Sequence, residues 1–338
     1  MDDMVSQAAG SQSAGLSAHQ CTTLYLVLPC YNEEEVLEHT AQVMREKLRR
    51  LEEAGKISFK SKIMFVNDGS KDGTWRIISG LCQKDAVFSG ICFSRNYGHQ
   101  SAILSGMLEA AKHADMVVTV DADLQQDIEA LDKFIACYES GCEIVYGVRN
   151  SRDTDGFFKK MTATGFYKVM GLLGCNVMQN HADYRLLSKA ALQALTEYKE
   201  VNLFLRGLIP TMGFPSDVVY FDVKKREAGH SKYTLKKMVS LAIDGITSMS
   251  TRPLRMITLL GFLVSMFSLV MIIICLADWL TGKNVPGYTT TLVVSLLTGG
   301  LTIFSLGVVG EYVGKIYLET KARPRYIIEA MIWKEEEE

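Results

Sequence analysis

No two of the eight cysteines form a Cys-x-x-Cys pair, and none of the six histidines belongs to a His-Glu-x-x-His. Scattered thiols, several of them in apolar stretches such as those around Cys82, Cys92 and Cys275, argue for reduced cysteines and against a disulfide scaffold or zinc site. A Gly-x-x-x-x-Gly-Lys-Ser loop is missing, so a P-loop ATPase is unsupported. No Gly-x-Gly-x-x-Gly follows the first strand either, which argues against a dinucleotide oxidoreductase. Excess positive charge is also lacking: the formal net charge is −2, and the chain as a whole offers nucleic acid no electrostatic footprint. Residues 1–22 have neither the basic start nor the apolar core of a secretory signal, and are expected to be a disordered lead rich in Ser, Ala, Gly and Gln.

What is present is a folded chain with an apolar surplus: 48% of its 338 residues are hydrophobic and 22% charged. From Thr23, short β-branched runs alternate with helical periodicity. Strands are expected at Leu24–Leu28, Ile63–Val66, Gly90–Phe93, Met116–Val120 and Ile144–Val148, with helices at Glu33–Ala54, Thr74–Cys82, Gln100–Ala114 and Ile128–Ser140 between them. This alternation implies an α/β unit with a mainly parallel sheet. A short strand is expected again at Val218–Phe221. The aromatic, lysine-flanked stretch Phe157–Leu173 reads equally as a helix on a membrane surface or one covering the sheet.

The surplus sits near the C-terminus. Met256–Leu276 and Thr289–Val309 carry no charge, and each is long enough for the about 20 apolar residues a bilayer crossing needs. Gly282 and Pro286 mark a tight connection, so the pair is expected to be a transmembrane hairpin, with spans at about 256–277 and 289–310. Arg252 and Arg255 before the first span, and Lys315, Lys321, Arg323 and Arg325 after the second, place both chain ends in the cytosol by the positive-inside bias. The domain reading is then a catalytic unit over 23–232, an amphipathic juxtamembrane helix over 233–254, a hairpin over 255–314 and a cytosolic tail over 315–338.

Chemistry gathers at the strand ends. Met116–Val120 stops in Asp121, Asp123 and Gln125, which a covered parallel sheet would hold at the mouth of a crevice. Hard oxygen donors with few competing His or Cys groups suit Mg²⁺ or Mn²⁺ shared with a diphosphate. The first strand delivers Pro29, Tyr31 and Glu33, the second Asp68, the fifth Arg149. Arg149, Arg185, Arg226 and Lys232 lie on loops at or after strand ends, and guanidinium groups suit phosphate. Each feature alone also has a bland reading, as a strand stop, a turn, a helix-favouring acid or a basic collar against anionic lipid.

Taken together, Leu28-Pro-Cys-Tyr-Asn-Glu-Glu, Val66-Asn-Asp-Gly-Ser-Lys-Asp-Gly-Thr, Ser94-Arg-Asn-Tyr-Gly-His-Gln, Asp121-Ala-Asp-Leu-Gln and Arg226-Glu-Ala-Gly-His-Ser-Lys-Tyr resemble the signature of family 2 inverting glycosyltransferases. The nearest likeness is to the polyisoprenyl-phosphate branch, which includes dolichol-phosphate mannose synthase and bacterial undecaprenyl-phosphate glycosyltransferases. It runs from about Leu24 to Arg325. The resemblance implies a GT-A fold. Pro29, Tyr31, Glu33 and Asp68 would match nucleoside-binding positions, Asp121 would lie by the ribose and diphosphate, and Asp123 with Gln125 would match the metal ligands. Arg149, Arg185, Arg226 and Lys232 would match positions handling the donor diphosphate and acceptor phosphate. Asp183 would fall where a catalytic carboxylate has been proposed, as a base or as a group orienting Arg185 or the acceptor.

The function so implied is a metal-dependent hexosyltransferase of the plasma (inner) membrane with its catalytic unit in the cytosol. It would move a sugar from a nucleotide donor, UDP-glucose or UDP-N-acetylglucosamine, to polyprenyl phosphate for cell-envelope glycan modification. Nucleic acid is not an expected partner. The oligomeric state stays open, although exposed hairpins commonly pack into homo-oligomers. The alternatives are a processive polysaccharide synthase, whose Gln-x-x-Arg-Trp motif does not surround Trp75, Trp279 or Trp333, and a non-catalytic membrane adaptor that kept the fold.

Overall fold

The computed structural model describes residues 22–150, 171, 173, 181–223, 245–248, 250–280 and 287–334. Arg226 and Lys232, most of the stretches 157–173 and 233–254, the N-terminal lead and the last four glutamates lie outside these residues.

Four parallel strands form the centre: β1 (Leu24–Cys30), β2 (Lys62–Asn67), β3 (Phe88–Phe93) and β4 (Met116–Thr119), in spatial order β3-β2-β1-β4. Every residue of all four is buried, which explains why their sequences read as continuous apolar runs. Helices α1 (Leu37–Glu53), α2 (Thr74–Lys84) and α3 (His99–Ala110) connect them, and α4 (Leu131–Glu139) leads on to β5 (Ile144–Arg149). One apolar cluster packs α1, α2 and α4 on one face, and a second packs α3 on the other. α3 lies so close that a Cβ on Gly106 would stand 2.3 Å from Val27 Cγ1, so only glycine fits that contact.

β1 runs on through Pro29, although the sequence places the strand stop there. Val27 accepts the last ladder bond on the β4 side, from Val120 N–H at 2.9 Å, and the backbone of Cys30 faces β2, where its carbonyl accepts from Asp68. The missing N–H of Pro29 therefore falls beyond the end of β4, where no partner is lost. The same early end of β4 opens the crevice.

The flank of the sheet departs from the simple alternation. β6 (His181–Ser188) inserts antiparallel between β4 and β5, and β7 (Ser216–Phe221) closes that side parallel to β5. Because β6 runs opposite to β4, its first residues stand at the same edge as the ends of β4 and β5. Helices α5 (Lys189–Thr196) and α6 (Leu205–Thr211) follow it.

Helices α7 (Arg252–Leu280) and α8 (Tyr288–Thr320) form the hairpin. Both contain stretches long and apolar enough to cross a membrane, Arg252–Met271 and Leu297–Thr320, and neither window is buried in the protein. Phe262, Phe267, Leu297 and Ile303 among others are exposed, the mark of a membrane-associated chain.

The segment read as a tail carries the eighth strand. β8 (Ile328–Ile332) pairs antiparallel with β3, Trp333 stacks on Tyr25, and Tyr326 stacks on Phe93 at 5.1 Å. The chain therefore leaves the sheet, makes the hairpin and returns to the same sheet.

Candidate active site

Two neighbouring features occupy the edge where the parallel strands end. The first is a cavity of about 440 Å³ over β1, β2 and β3, within the range of small-ligand pockets. Tyr31, Lys71, Trp75, Arg95 and Glu329 are among its walls, so the returning β8 contributes one side. The loops are laced together: Asn32 N–H donates to Ser70 Oγ at 2.9 Å, Lys71 N–H to Asn32 Oδ1 at 2.9 Å, and Glu33 N–H to Thr74 Oγ1 at 3.0 Å. Asn32 accordingly adopts a left-handed φ of 54°.

Asp68 lies beneath this cavity, only 3% exposed. Its carboxylate accepts the Tyr97 N–H at 2.7 Å and the Gly98 N–H at 3.0 Å, fixing the loop that opens α3. Burial raises its pKa, against those two amides and nearby His99, which favour the charged form. Gly69 follows with φ +62°, and a Cβ there would stand 2.3 Å from the Arg95 carbonyl carbon and 2.5 Å from Asn96 N. Backbone cannot yield as a side chain does. Gly69→Ala is therefore expected to push the 95–98 loop off Asp68 and weaken binding of a ligand in the adjoining cavity about tenfold or more, as equilibrium binding measurements would show.

The second feature is a charged cluster that sequence reasoning assembled only in part. Asp121, just beyond β4, is clasped by Gln126, whose Nε2 donates to Asp121 Oδ2 at 2.7 Å while its Oε1 accepts the Asp121 N–H at 3.1 Å. A left-handed Leu124 (φ 55°) makes the turn, and Asp123 Oδ1 accepts the Gln125 N–H at 3.1 Å. His99, at the start of α3, places Nε2 3.6 Å from both Asp121 Oδ1 and Asp183 Oδ2. Asp183 itself, on β6 and 11% exposed, accepts from Arg206 Nε at 3.1 Å and Nη2 at 2.8 Å, and from Arg185 Nη2.

The electrostatics follow from that arrangement. Burial acts to raise the Asp183 pKa, but Arg206, His99 and Arg185 outweigh it and hold the carboxyl well below the usual range. Burial likewise works against a charged His99, yet Asp183 and Asp121 prevail and its pKa is raised. Asp121 is raised, mainly by burial and then by the like charges of Asp183 and Asp123, with His99 and Arg149 opposing. Arg185 is fully enclosed, at 0% exposure, and its Nε and Nη1 find no hydrogen-bond partner among the described residues; the same holds for Nε of Arg149 at the end of β5. Arg185 is thus engaged with Asp183 through Nη2.

Asp121, Asp123, Arg149, Asp183 and Arg185 thus share one edge; of the residues expected at the nucleoside, Tyr31 lines the adjoining cavity, whereas Pro29 is buried within β1, Glu33 lies in the turn ahead of α1, and Asp68 is buried between the lining residues Asn67 and Gly69. His99, Gln126 and Arg206 were missed as site residues. His99 lies inside a motif already singled out, Arg206 is the lone charge in the apolar run Phe204–Ile209, and only Gln126 gave no separate signal beside Gln125.

A divalent cation fits the donor set. The charge of Asp123 helps to raise the pKa of Asp121, and no group of three or more His, Cys, Asp or Glu forms a closed cage among the described residues. Mg²⁺ and Mn²⁺ held by one or two carboxylates and a substrate diphosphate need no such cage. Among the described residues, buried guanidinium nitrogens of Arg149 and Arg185 also lack hydrogen-bond partners, which leaves positive charge at this edge unspent on the protein itself.

Residues 25–196 match the family profile Glycosyl transferase family 2, and residues 252–316 match the GtrB C-terminal hairpin. The chain is similar to the Uncharacterized glycosyltransferase YkoT of Bacillus subtilis (strain 168), with 45% identity covering 93% of each chain. It is also similar to the Bactoprenol glucosyl transferase of Shigella phage SfX, at 37% identity over 90% of this chain and 98% of that one. The Prophage bactoprenol glucosyl transferase homolog of Escherichia coli (strain K12) is 36% identical over 90% and 97%. With the parallel sheet, the acidic strand ends and the apolar hairpin in place, the chain belongs to glycosyl transferase family 2, as a GT-A glycosyltransferase domain followed by a GtrB-type hairpin.

Proposed function

We propose that the protein transfers glucose from UDP-glucose to a polyprenyl phosphate at the cytosolic face of the plasma membrane, inverting the anomeric centre. The observation that carries this reading is its 37% identity with a bactoprenol glucosyl transferase over nearly the whole of both chains, hairpin included. The acidic cluster at the strand ends and the paired apolar helices support it, because one reactant is dissolved and the other never leaves the bilayer.

In this reading the nucleoside lies in the cavity beside Tyr31 and Trp75. An oxygen of the lipid phosphate forms a bond to the anomeric carbon as the bond from that carbon to the diphosphate breaks, and UDP leaves with the electron pair. A phosphomonoester has its second pKa near 6, so at neutral pH the attacking group is already largely a dianion and no base is required. Asp183, held ionised by two arginines and His99, then serves to orient the cationic groups that receive the phosphate. Mg²⁺ or Mn²⁺, held by Asp123 and Gln125 together with the donor diphosphate, would neutralise charge on the leaving group. Arg149 would add to that neutralisation.

The test is purified full-length protein in detergent with undecaprenyl phosphate and a panel of labelled UDP- and GDP-sugars. UDP-glucose is expected to give a chloroform-soluble labelled product at least about tenfold faster than the other donors. A different preferred donor would reassign the sugar or base, and no lipid product from any donor would overturn the reading.

A further inference from the structure

The end of the second membrane helix reaches into the catalytic domain. Glu319, in the last turn of α8, accepts the Val201 N–H at 2.9 and 3.0 Å, the Asn202 N–H at 2.8 Å and Asn202 Nδ2 at 3.0 Å. A carboxylate is the wrong charge for a helix C-terminus, where the macrodipole is negative, so its place there calls for a local partner. The partner is a loop whose two adjacent amide hydrogens both point at Glu319. Nearby, Arg325 donates to the carbonyl of Tyr198, and Tyr312 Oη donates to the carbonyl of Ser250 at 2.6 Å.

That loop leads directly into the charged cluster. Helix α6 begins at Leu205 with no side-chain cap from Phe204, and the Leu205 N–H is taken instead by Gln100 Oε1 at 2.8 Å. The next residue, Arg206, grips Asp183 with two nitrogens. Gln100 is the neighbour of His99, which stands against the same Asp183 and against Asp121. The short α6 is therefore held from two sides, by the membrane helix through Glu319 and by α3 through Gln100, and its first turn carries the guanidinium that fixes Asp183.

We infer that Glu319 is a positioning residue that sets the registry of the membrane hairpin against the catalytic cluster, acting through the Val201–Asn202 loop and Arg206. Resting on the lipid-acceptor reading above, this adds what the hairpin does beyond anchoring. With α8 seated, Arg206 and Asp183 face a phosphate arriving along the membrane helix; with α8 unseated, the first turn of α6 loses two of the amide contacts ahead of it and Arg206 loses its fixed geometry. The coupling acts on the acceptor side, through Arg206 and Asp183, neither of which lines the nucleoside cavity.

The test uses full-length Glu319→Ala and Glu319→Gln. A misplacement of about 1 Å costs up to roughly 100-fold, so Glu319→Ala is expected to lower kcat by about 10- to 100-fold and raise KM for polyprenyl phosphate, with KM for UDP-glucose within about twofold of wild type. Glu319→Gln, which keeps an acceptor oxygen, should recover part of the loss. In a double-mutant cycle, Glu319→Ala added to Arg206→Ala should cost little beyond Arg206→Ala alone. Independent of any substrate, hydrogen exchange at the amides of residues 201–208 should quicken in Glu319→Ala while that of β1 and β2 stays unchanged. Unaltered exchange in the α6 region, or full additivity with Arg206→Ala, would overturn the inference. Failure of wild-type protein to make a lipid-linked sugar would instead overturn the reading it rests on, and the exchange measurement would still decide the coupling.

Discussion

Replacing Asp183 by asparagine is expected to lower kcat by about 10²- to 10³-fold while leaving the acid limb of the pH–rate profile in place. The side chain keeps its shape but loses the charge that faces Arg206, Arg185 and His99. Removing one partner from a buried ionic group leaves the remaining charges uncompensated, typically at about 3–5 kcal/mol for a fully buried pair. Here Arg206 is partly exposed, and displacement of its side chain absorbs some of that cost. Loss of orientation is then the dominant effect on rate.

The pH dependence separates an orienting role from that of a base. The Asp183 carboxyl is held well below the usual range, so it stays ionised through the working pH range and is a weak proton acceptor there. Its stabilising contribution is present above the unfolded pKa near 3.9, and is lost only as pH falls through the depressed folded value. His99 runs the other way: with its pKa raised, its contribution is full below about 6.5 and is lost as pH rises through the folded value. A limb near pH 6 in kcat would then belong to the lipid phosphate and persist in Asp183→Asn at a lower plateau. Its disappearance in the variant would mean that Asp183 takes the proton.

The central sheet was legible because β1 to β4 are buried on both faces, so burial is written directly as uninterrupted apolar runs. β6 hid for the opposite reason. Its residues alternate between Ala182, Tyr184 and Leu186 on the face of one core cluster and Asp183, Arg185 and Leu187 on the other, and two charges at buried positions break the pattern that marks a strand. β8 was missed because Ile328–Ile332 follows the hairpin and pairs with β3 from the opposite end of the chain, a closure that no local periodicity records. The motifs named most of the residues around the crevice but not their mutual contacts. Asp68 shows the gap well: the family resemblance implies a nucleoside-binding position for it, and the structure adds that both its oxygens already hold the backbone of the Tyr97–Gly98 loop. His99 and Arg206 become site residues only once α3 and α6 converge over β6.

The second large effect is expected from Asp123→Ala. Asp121 is tied on both its amide and its carboxylate by Gln126, and shares His99 with Asp183. Asp123 instead lies in the turn beyond, with Oδ1 toward the Gln125 amide, and in the function proposed above it is the carboxylate that would be shared with the donor diphosphate. If a divalent ion there supplies about 4 kcal/mol to the departing charge, its loss lowers the rate roughly 10³-fold. Wild-type protein stripped with EDTA should fall by a comparable factor and recover with Mg²⁺ or Mn²⁺, whereas Asp123→Ala should not recover at any metal concentration. Asp121→Asn gives the contrast. It removes a charge that burial and its acidic neighbours already disfavour, so that variant should keep a metal response with a weaker apparent affinity. Residual activity of Asp123→Ala above about a tenth of wild type, or indifference of the wild type to EDTA, would move the task of neutralising the leaving diphosphate to Arg149 and the other cations at this edge.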